Sequence, residues 1–242
     1  MTVALFLPGI TTPAHVAFAA LLTELDPSVE VVTKELEVYA GDEPPEGYGL
    51  ETELDGLDRF AAERGHDRFH LYGHSIGGAV ALAYTARHGE RVASLALNEA
   101  ATDFSPDDRA AIAAQRLGEL PEDQRMAAFV RQLVRPGVEI SPPPPAPSTP
   151  EMAKRPAGLA AAIPAVESAT IDHSRLREYA GPVYYSYGTL SNARWEAMGE
   201  RLASVFADCT VERYEGRHHL NTSHQAEPAR VAAALRRLWA RG

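Results

Sequence analysis

The pentapeptide Gly73-His74-Ser75-Ile76-Gly77 decides how the chain is read, because the sequence changes character across it. Before it, Arg68-Phe69-His70-Leu71-Tyr72 is a run of large and aromatic residues with the look of a short strand. After it, Gly78-Ala79-Val80-Ala81-Leu82-Ala83-Tyr84 reads as a helix small enough to pack closely on a sheet. A strand that becomes a helix within one residue strains the backbone of that residue, and glycines at 73 and 77 relieve the crowding. The Ser75 hydroxyl then stands at a helix N-terminus, where free amides and partial positive charge favour a developing oxyanion. Ser75 is therefore a candidate nucleophile. The plainer reading is a Gly-rich turn with a capping serine.

Outward from this point, apolar runs at 3–7, 29–37 and 92–97 read as further strands. A helix opened by Pro13 carries Phe18, Leu21, Leu22 and Leu25 on one face, and Leu50, Leu54, Leu57 and Phe60 mark another. Strands alternating with helices imply parallel pairing through crossover helices. From 99 to 181 the pattern turns helical and rich in Ala and Arg, with helices expected over 107–117 and 122–134. The run Ser141-Pro142-Pro143-Pro144-Pro145-Ala146-Pro147 follows, and four consecutive prolines favour a stiff, extended strap. The strand rhythm returns at 182–188 and 210–214, separated by a helix with Trp195, Met198, Leu202 and Val205. Pro228 opens a last helix carrying Val231, Leu235 and Leu238. The expected fold is α/β, a mostly parallel six-stranded sheet with helices on both faces. Residues 1–100 and 180–242 form its core, and 101–179 form a helical insertion after the fourth strand.

A chain of 242 residues with 45% hydrophobic content supports one large core with an insertion. Its formal charge of -10 argues against nucleic acid as a partner, since phosphates would be repelled. A small neutral or apolar molecule is the expected substrate. The single cysteine, Cys209, excludes an internal disulfide and suits a reducing cytoplasm. The apolar start, residues 1–9, lacks a basic leader and is stopped by Pro8-Gly9 far short of a membrane span. A soluble, cytoplasmic protein without a membrane partner is expected, and nothing in the sequence bears on its oligomeric state.

Serine at its ordinary pKa is a poor nucleophile, so Ser75 needs a base, and imidazole is the usual one. Nine histidines compete. His74 is expected to point away from the turn, and His70 lies inside the strand. His218, His219 and His224 fall between the last strand and the last helix. Their spacing lacks an acidic pair that would complete a familiar metal motif, so neither metal nor cofactor is expected. His224 reads as structural or solvent-facing.

Three stretches taken together, Leu7-Pro8-Gly9-Ile10, Gly73-His74-Ser75-Ile76-Gly77-Gly78 and Gly216-Arg217-His218-His219, give the chain its family character. Over nearly its whole length it resembles the α/β-hydrolase fold family, without the first two strands that many members have. The resemblance implies that the insertion is a helical cap shaping the substrate pocket. It implies a base after the last strand, where His219, followed by apolar Leu220, matches best and His218 is the alternative. It also implies an oxyanion hole formed by the amides of Ile10 and Ile76, with Pro8-Gly9 in place of the family's usual His-Gly.

The acid departs from the family pattern. Most members place an Asp about three residues beyond a glycine after the fifth of these strands, whereas here the stretch is Gly188-Thr189-Leu190-Ser191-Asn192. Some members carry the acid after the preceding strand, and Glu99 fits that site. Glu99 also reads as a strand-end carboxylate in solvent or paired with an arginine of the insertion, and Ser191 or Asn192 as a neutral partner of the histidine. The resemblance implies a serine hydrolase of a small carboxylic ester, thioester or lactone, acting through an acyl-enzyme on Ser75 in a fairly apolar pocket. The alternatives are a carbon-carbon bond hydrolase or lyase using Ser75 and His219 without an acyl intermediate, and a non-catalytic binding protein on this scaffold.

Overall fold

The computed structural model describes residues 3–102, 105–114, 120–140 and 149–242. The expected proline strap and the end of the helix expected over 107–117 lie outside the described residues. Six strands form one sheet: β1 (Val3–Leu7), β2 (Glu30–Thr33), β3 (Phe69–His74), β4 (Val92–Asn98), β5 (Val183–Gly188) and β6 (Cys209–Tyr214). Their order is β2-β1-β3-β4-β5-β6, and every neighbouring pair is parallel.

Side chains alternate across the sheet with the period of two that a strand imposes. Leu5, Leu71, Leu95 and Tyr185 face one core, which α3 (Leu50–Glu63), α4 (Ile76–His88) and α10 (Arg194–Val205) cover. Phe6, Tyr72, Ala96 and Tyr184 face the other, covered by α2 (Ala19–Leu22) and α12 (Pro228–Trp239). Burying each such large side chain contributes about 1.5–3 kcal/mol. Both faces are therefore closed by helices, as the alternation of segments implies.

Two boundaries in the first half of the chain differ from the sequence reading. The strand expected over 29–37 ends at Thr33, because carboxylates capture the amides that would continue the ladder. Glu35 Oε1 accepts from Leu36 N at 3.0 Å, and Glu53 accepts from Glu37 N at 2.9 Å and Val38 N at 3.2 Å. The helix expected after Pro13 breaks at Phe18, giving α1 (Ala14–Ala17) and α2. Phe18 is fully buried, its ring packed on Phe6, Tyr72 and His224.

Among the described residues between β4 and β5 lie five helices: α5 (Pro106–Ala113), α6 (Glu122–Gln132), α7 (Pro150–Ala153), α8 (Arg155–Ser168) and α9 (His173–Glu178). The Ser105 side chain caps α5, accepting from Asp108 N at 3.1 Å. α6 stops two residues before the expected end, at Gln132, because the chain there turns to pair with the loop after β5. Val134 bridges Ser191, Arg135 N donates to Leu190 O at 2.9 Å, and Asn192 N donates to Leu133 O at 3.1 Å. No helix among the described residues is long and apolar enough to cross a membrane.

Candidate active site

The carboxyl ends of β1, β3, β4 and β5 converge on Ser75. It is the only residue between β3 and α4, with φ 54° and ψ -118°. The glycines on either side are required by close backbone approach. A Cβ at Gly73 would lie 2.3 Å from Gly77 O, and one at Gly77 would lie 2.4 Å from both Leu7 O and Pro8 O. Gly77 N donates to Pro8 O at 3.0 Å, fixing the loop after β1 beside the turn. On that loop is Ile10, and Ile76 begins α4. The backbone N–H groups of both have no hydrogen-bond partner among the described residues.

His219 Nε2 lies 3.0 Å from Ser75 Oγ, and its Nδ1 lies 2.7 Å from Glu99 Oε2. A carboxylate accepts, so Nδ1 carries the proton and Nε2 is free to accept from the serine hydroxyl. The three side chains are buried, Glu99 being only 1% exposed. Trp195 of α10 stacks on the His219 ring at 5.0 Å and 14°. Glu99 follows β4 with φ 45°, and Ser75 and Glu99 are the non-glycine residues of positive φ among the described residues. Strain of this kind, about 1–3 kcal/mol each, persists where surrounding structure over-determines the backbone. Asn98 supplies much of that constraint. Its carbonyl accepts from Ser75 N at 3.0 Å, and its amide donates to Ser186 and Ser223.

The position three residues beyond Gly188 is Ser191, which lies against Glu99. Ser191 Oγ donates to Glu99 Oε1 at 2.5 Å, and Gly188 N donates to the same oxygen at 2.7 Å. Ser191 therefore meets the carboxylate and not the histidine. Asn192 does not meet the histidine either, because its side chain accepts from Arg194 N at 3.2 Å. Glu99 is neither in solvent nor paired with an arginine of the insertion. His218 is not brought to Ser75: its Nδ1 accepts from Leu220 N at 3.2 Å, and burial lowers its pKa.

A profile of the alpha/beta hydrolase family matches residues 4–234. The chain belongs to the alpha/beta hydrolase family. No curated protein matches it significantly in sequence. Among solved structures, the hydrolase is similar to one from Pseudomonas aeruginosa PA01 at 21% identity and TM-score 0.74, over 98% of this chain and 89% of that one. It is similar to a thermophilic esterase from Thermogutta terrifontis at 20% identity and TM-score 0.73, over 98% and 89% of the two chains. A membrane phospholipase A described as a bacterial virulence factor matches at 20% identity and TM-score 0.73, over 98% and 78%. At these identities the likeness is one of fold.

The hydrolase has a cavity of about 80 Å³ beside Ser75 and His219. Ile10, Ala17, Phe129, Leu133 and Leu220 line it, but so do Thr11, Thr12, His74, Thr222 and Gln225. The expected fairly apolar pocket is thus corrected to a mixed one, because the loops after β1 and β6 bring their hydroxyls and amide to it. His74 is a second correction. It was expected to point away, yet its ring lies 5.1 Å from that of His219 and 5.0 Å from that of His224. Period two along β3 sends His74 to the face that holds Tyr72, where the loop bearing His219 and the short helix α11 (Ser223–Ala226) arrive. Burial, with His224 and His219 close by, lowers the His74 pKa well below its usual value. His224 is fully buried between Tyr72 OH at 3.1 Å and Thr222 Oγ1 at 3.2 Å, which makes it structural, and burial lowers its pKa to about 3.

Proposed function

We propose that this hydrolase cleaves a small carboxylic ester, thioester or lactone through an acyl-enzyme on Ser75. The observation that carries the reading is the unbroken buried hydrogen-bond chain from Ser75 Oγ through His219 to Glu99, at 3.0 and 2.7 Å. In the proposed reaction Ser75 Oγ attacks the carbonyl carbon while His219 Nε2 takes its proton. Glu99 holds the Nδ1–H tautomer and stabilises the imidazolium that forms, and Gly188 N and Ser191 Oγ keep the carboxylate in place. The oxyanion is received by the amides of Ile10 and Ile76. His219 then returns the proton to the leaving group and activates the water that resolves the acyl-enzyme.

The small cavity favours a short acyl group, and the insertion, residues 101–179, acts as the cap. Phe129 and Leu133 of the insertion line the cavity, which supports that assignment. The alternative is a carbon-carbon bond hydrolase or lyase using Ser75 and His219 without an acyl intermediate, and the carboxylate bonded to His219 supports the acyl-enzyme reading instead. With no internal disulfide available to its single cysteine, the protein fits a cytoplasmic setting. The test is labelling with a fluorophosphonate. A stoichiometric adduct is expected on Ser75, together with hydrolysis of short phenyl esters, and both are lost in Ser75→Ala. Folded protein that fails to label at Ser75 would rule out the acyl-enzyme.

A further inference from the structure

His74 stands within the nucleophile's own pentapeptide and lines the cavity, yet the reaction above gives it no task. Its Nδ1 lies 3.2 Å from Asn98 O. A carbonyl oxygen only accepts, so Nδ1 carries the proton of the neutral ring and Nε2 is left as a bare acceptor. No partner for Nε2 is found among the described residues. Nε2 is not sealed in protein, and His74 lines the cavity, so a donor placed there can reach it.

The position of Nε2 limits what that donor is. Gly9 packs against both the ring and the nucleophile, since a Cβ built on it would lie 2.9 Å from His74 Cδ2, 3.3 Å from Nε2 and 3.4 Å from Ser75 Cβ, and all three residues border the cavity. A donor there belongs to the part of the substrate nearest the attacked carbonyl. Among the described residues the cavity lining contains no Asp or Glu, so an ammonium group would lack a counter-charge there, whereas a neutral hydroxyl meets a neutral imidazole. The depressed pKa of His74 agrees with a ring that stays neutral and keeps accepting. Thr222 and Gln225, from the segment whose His224 packs on His74, continue the polar lining.

We infer that His74 sets acyl specificity: its Nε2 accepts from a hydroxyl on the carbon next to the scissile carbonyl, so the enzyme favours 2-hydroxyacyl esters. The inference rests on Ser75 being the acyl-forming nucleophile. Two variants separate the two nitrogens of His74. In His74→Asn the amide nitrogen falls near the place of Nδ1 and keeps the tether to Asn98 O, but nothing reaches the place of Nε2. In His74→Gln the amide falls near the place of Nε2 and its oxygen can accept.

The experiment compares kcat/KM for phenyl glycolate and phenyl fluoroacetate, whose substituents are alike in size and electron-withdrawing but differ in having a donor. The glycolate-to-fluoroacetate ratio is expected to fall about five- to tenfold in His74→Asn, the worth of one neutral hydrogen bond, and to stay within about twofold of wild type in His74→Gln. Fluorophosphonate labelling of Ser75 checks that each variant is folded. An unchanged ratio in His74→Asn, or an equal fall in both variants, overturns the inference and leaves the nucleophile reading standing. Wild-type protein that neither labels nor hydrolyses either ester overturns both. A measurement free of variants is inhibition by glycolamide, expected to be at least about fivefold stronger than by fluoroacetamide; equal inhibition overturns the inference.

Discussion

Glu99 joins the strongest polar contacts of the site, and its neighbours separate charge from mere hydrogen bonding. The carboxylate receives Gly188 N and Ser191 Oγ on one oxygen and His219 Nδ1 on the other. Replacing it with the isosteric amide keeps the volume but presents either the wrong tautomer or no negative charge to the imidazolium. Glu99→Gln is therefore expected to lower kcat by about three to four orders of magnitude in steady-state assays. Ser191→Ala removes one charge-assisted bond and leaves the carboxylate in place, so a loss of about tenfold is expected. Asn192→Ala should leave kcat within about twofold and lower stability by about 1 kcal/mol in urea unfolding, since its side chain accepts from Arg194 N at the start of α10. Comparable kcat losses in all three would mean that the loop acts as one packing unit and not through Glu99. Ser75 stands out in the sequence by its strand-to-helix setting, and His219 and Glu99 by the family resemblance; the structure brings the three side chains into one hydrogen-bonded chain, which supports their proposed parts. The direction of His74 and the contact of Ser191 with Glu99 are not legible, because they depend on the positive φ of Ser75 and Glu99 and on which oxygen each donor reaches.

At the scale of elements, α8 of the insertion reaches into the loop that carries Ile10. Arg155 Nη2 pairs with Glu35 Oε2 at 2.9 Å, its Nη1 contacts Ile10 O at 3.4 Å, and its guanidinium lies over the Tyr39 ring at 3.8 Å. Tyr39 OH also donates to Ile10 O at 2.8 Å. Gly158 brings α8 this close, since a Cβ there would lie 2.0 Å from the Tyr39 ring. The fork of the guanidinium thus ties the insertion, the segment after β2 and the loop after β1 at one point. Arg155→Met keeps the apolar stem but leaves the Glu35 carboxylate with only the Ala14 and Leu36 amides and no counter-charge, and it frees one side of the Ile10 carbonyl. Urea unfolding is expected to show a loss of about 2 kcal/mol, below the range for a fully buried pair because Glu35 is partly exposed. Steady-state assays should show kcat reduced several-fold as the Ile10 loop loosens. Arg155→Lys should not restore either quantity, because an ammonium cannot serve two acceptors in the geometry of the fork; full rescue by Lys would reduce the contact to simple charge. The elements themselves are legible from their periodicity. This contact is not, because Arg155 is one of many arginines and the carboxylates that end β2 are indistinguishable in sequence from solvated ones.

For the whole molecule, the face of the sheet beneath α11 and α12 encloses histidines that folding keeps neutral. Burial lowers the pKa of His224 to about 3 and that of His74 well below its usual value, and it lowers that of His70 to about 4 in the same sense. In the unfolded chain each titrates near 6.5. Above that pH both states are neutral and the contribution to stability is complete. As the pH falls below about 6.5 the unfolded chain binds protons that the folded chain refuses, so stability declines and goes on declining until the folded pKa values are reached. Each such histidine contributes a slope of up to about 1.4 kcal/mol per pH unit, so His70, His74 and His224 together give about 4 kcal/mol per unit between roughly pH 6 and 5. That window lies above the range in which the Asp and Glu partners of the arginine pairs begin to protonate, which keeps the two effects apart. Urea unfolding at closely spaced pH values measures the slope directly, and His224→Gln should reduce it by about 1.4 kcal/mol per unit while leaving a fold able to bond Tyr72 and Thr222 through its amide. A slope unchanged by that substitution would mean that His224 takes up a proton in the folded state, and with it that the face around Tyr72 and Phe18 admits water.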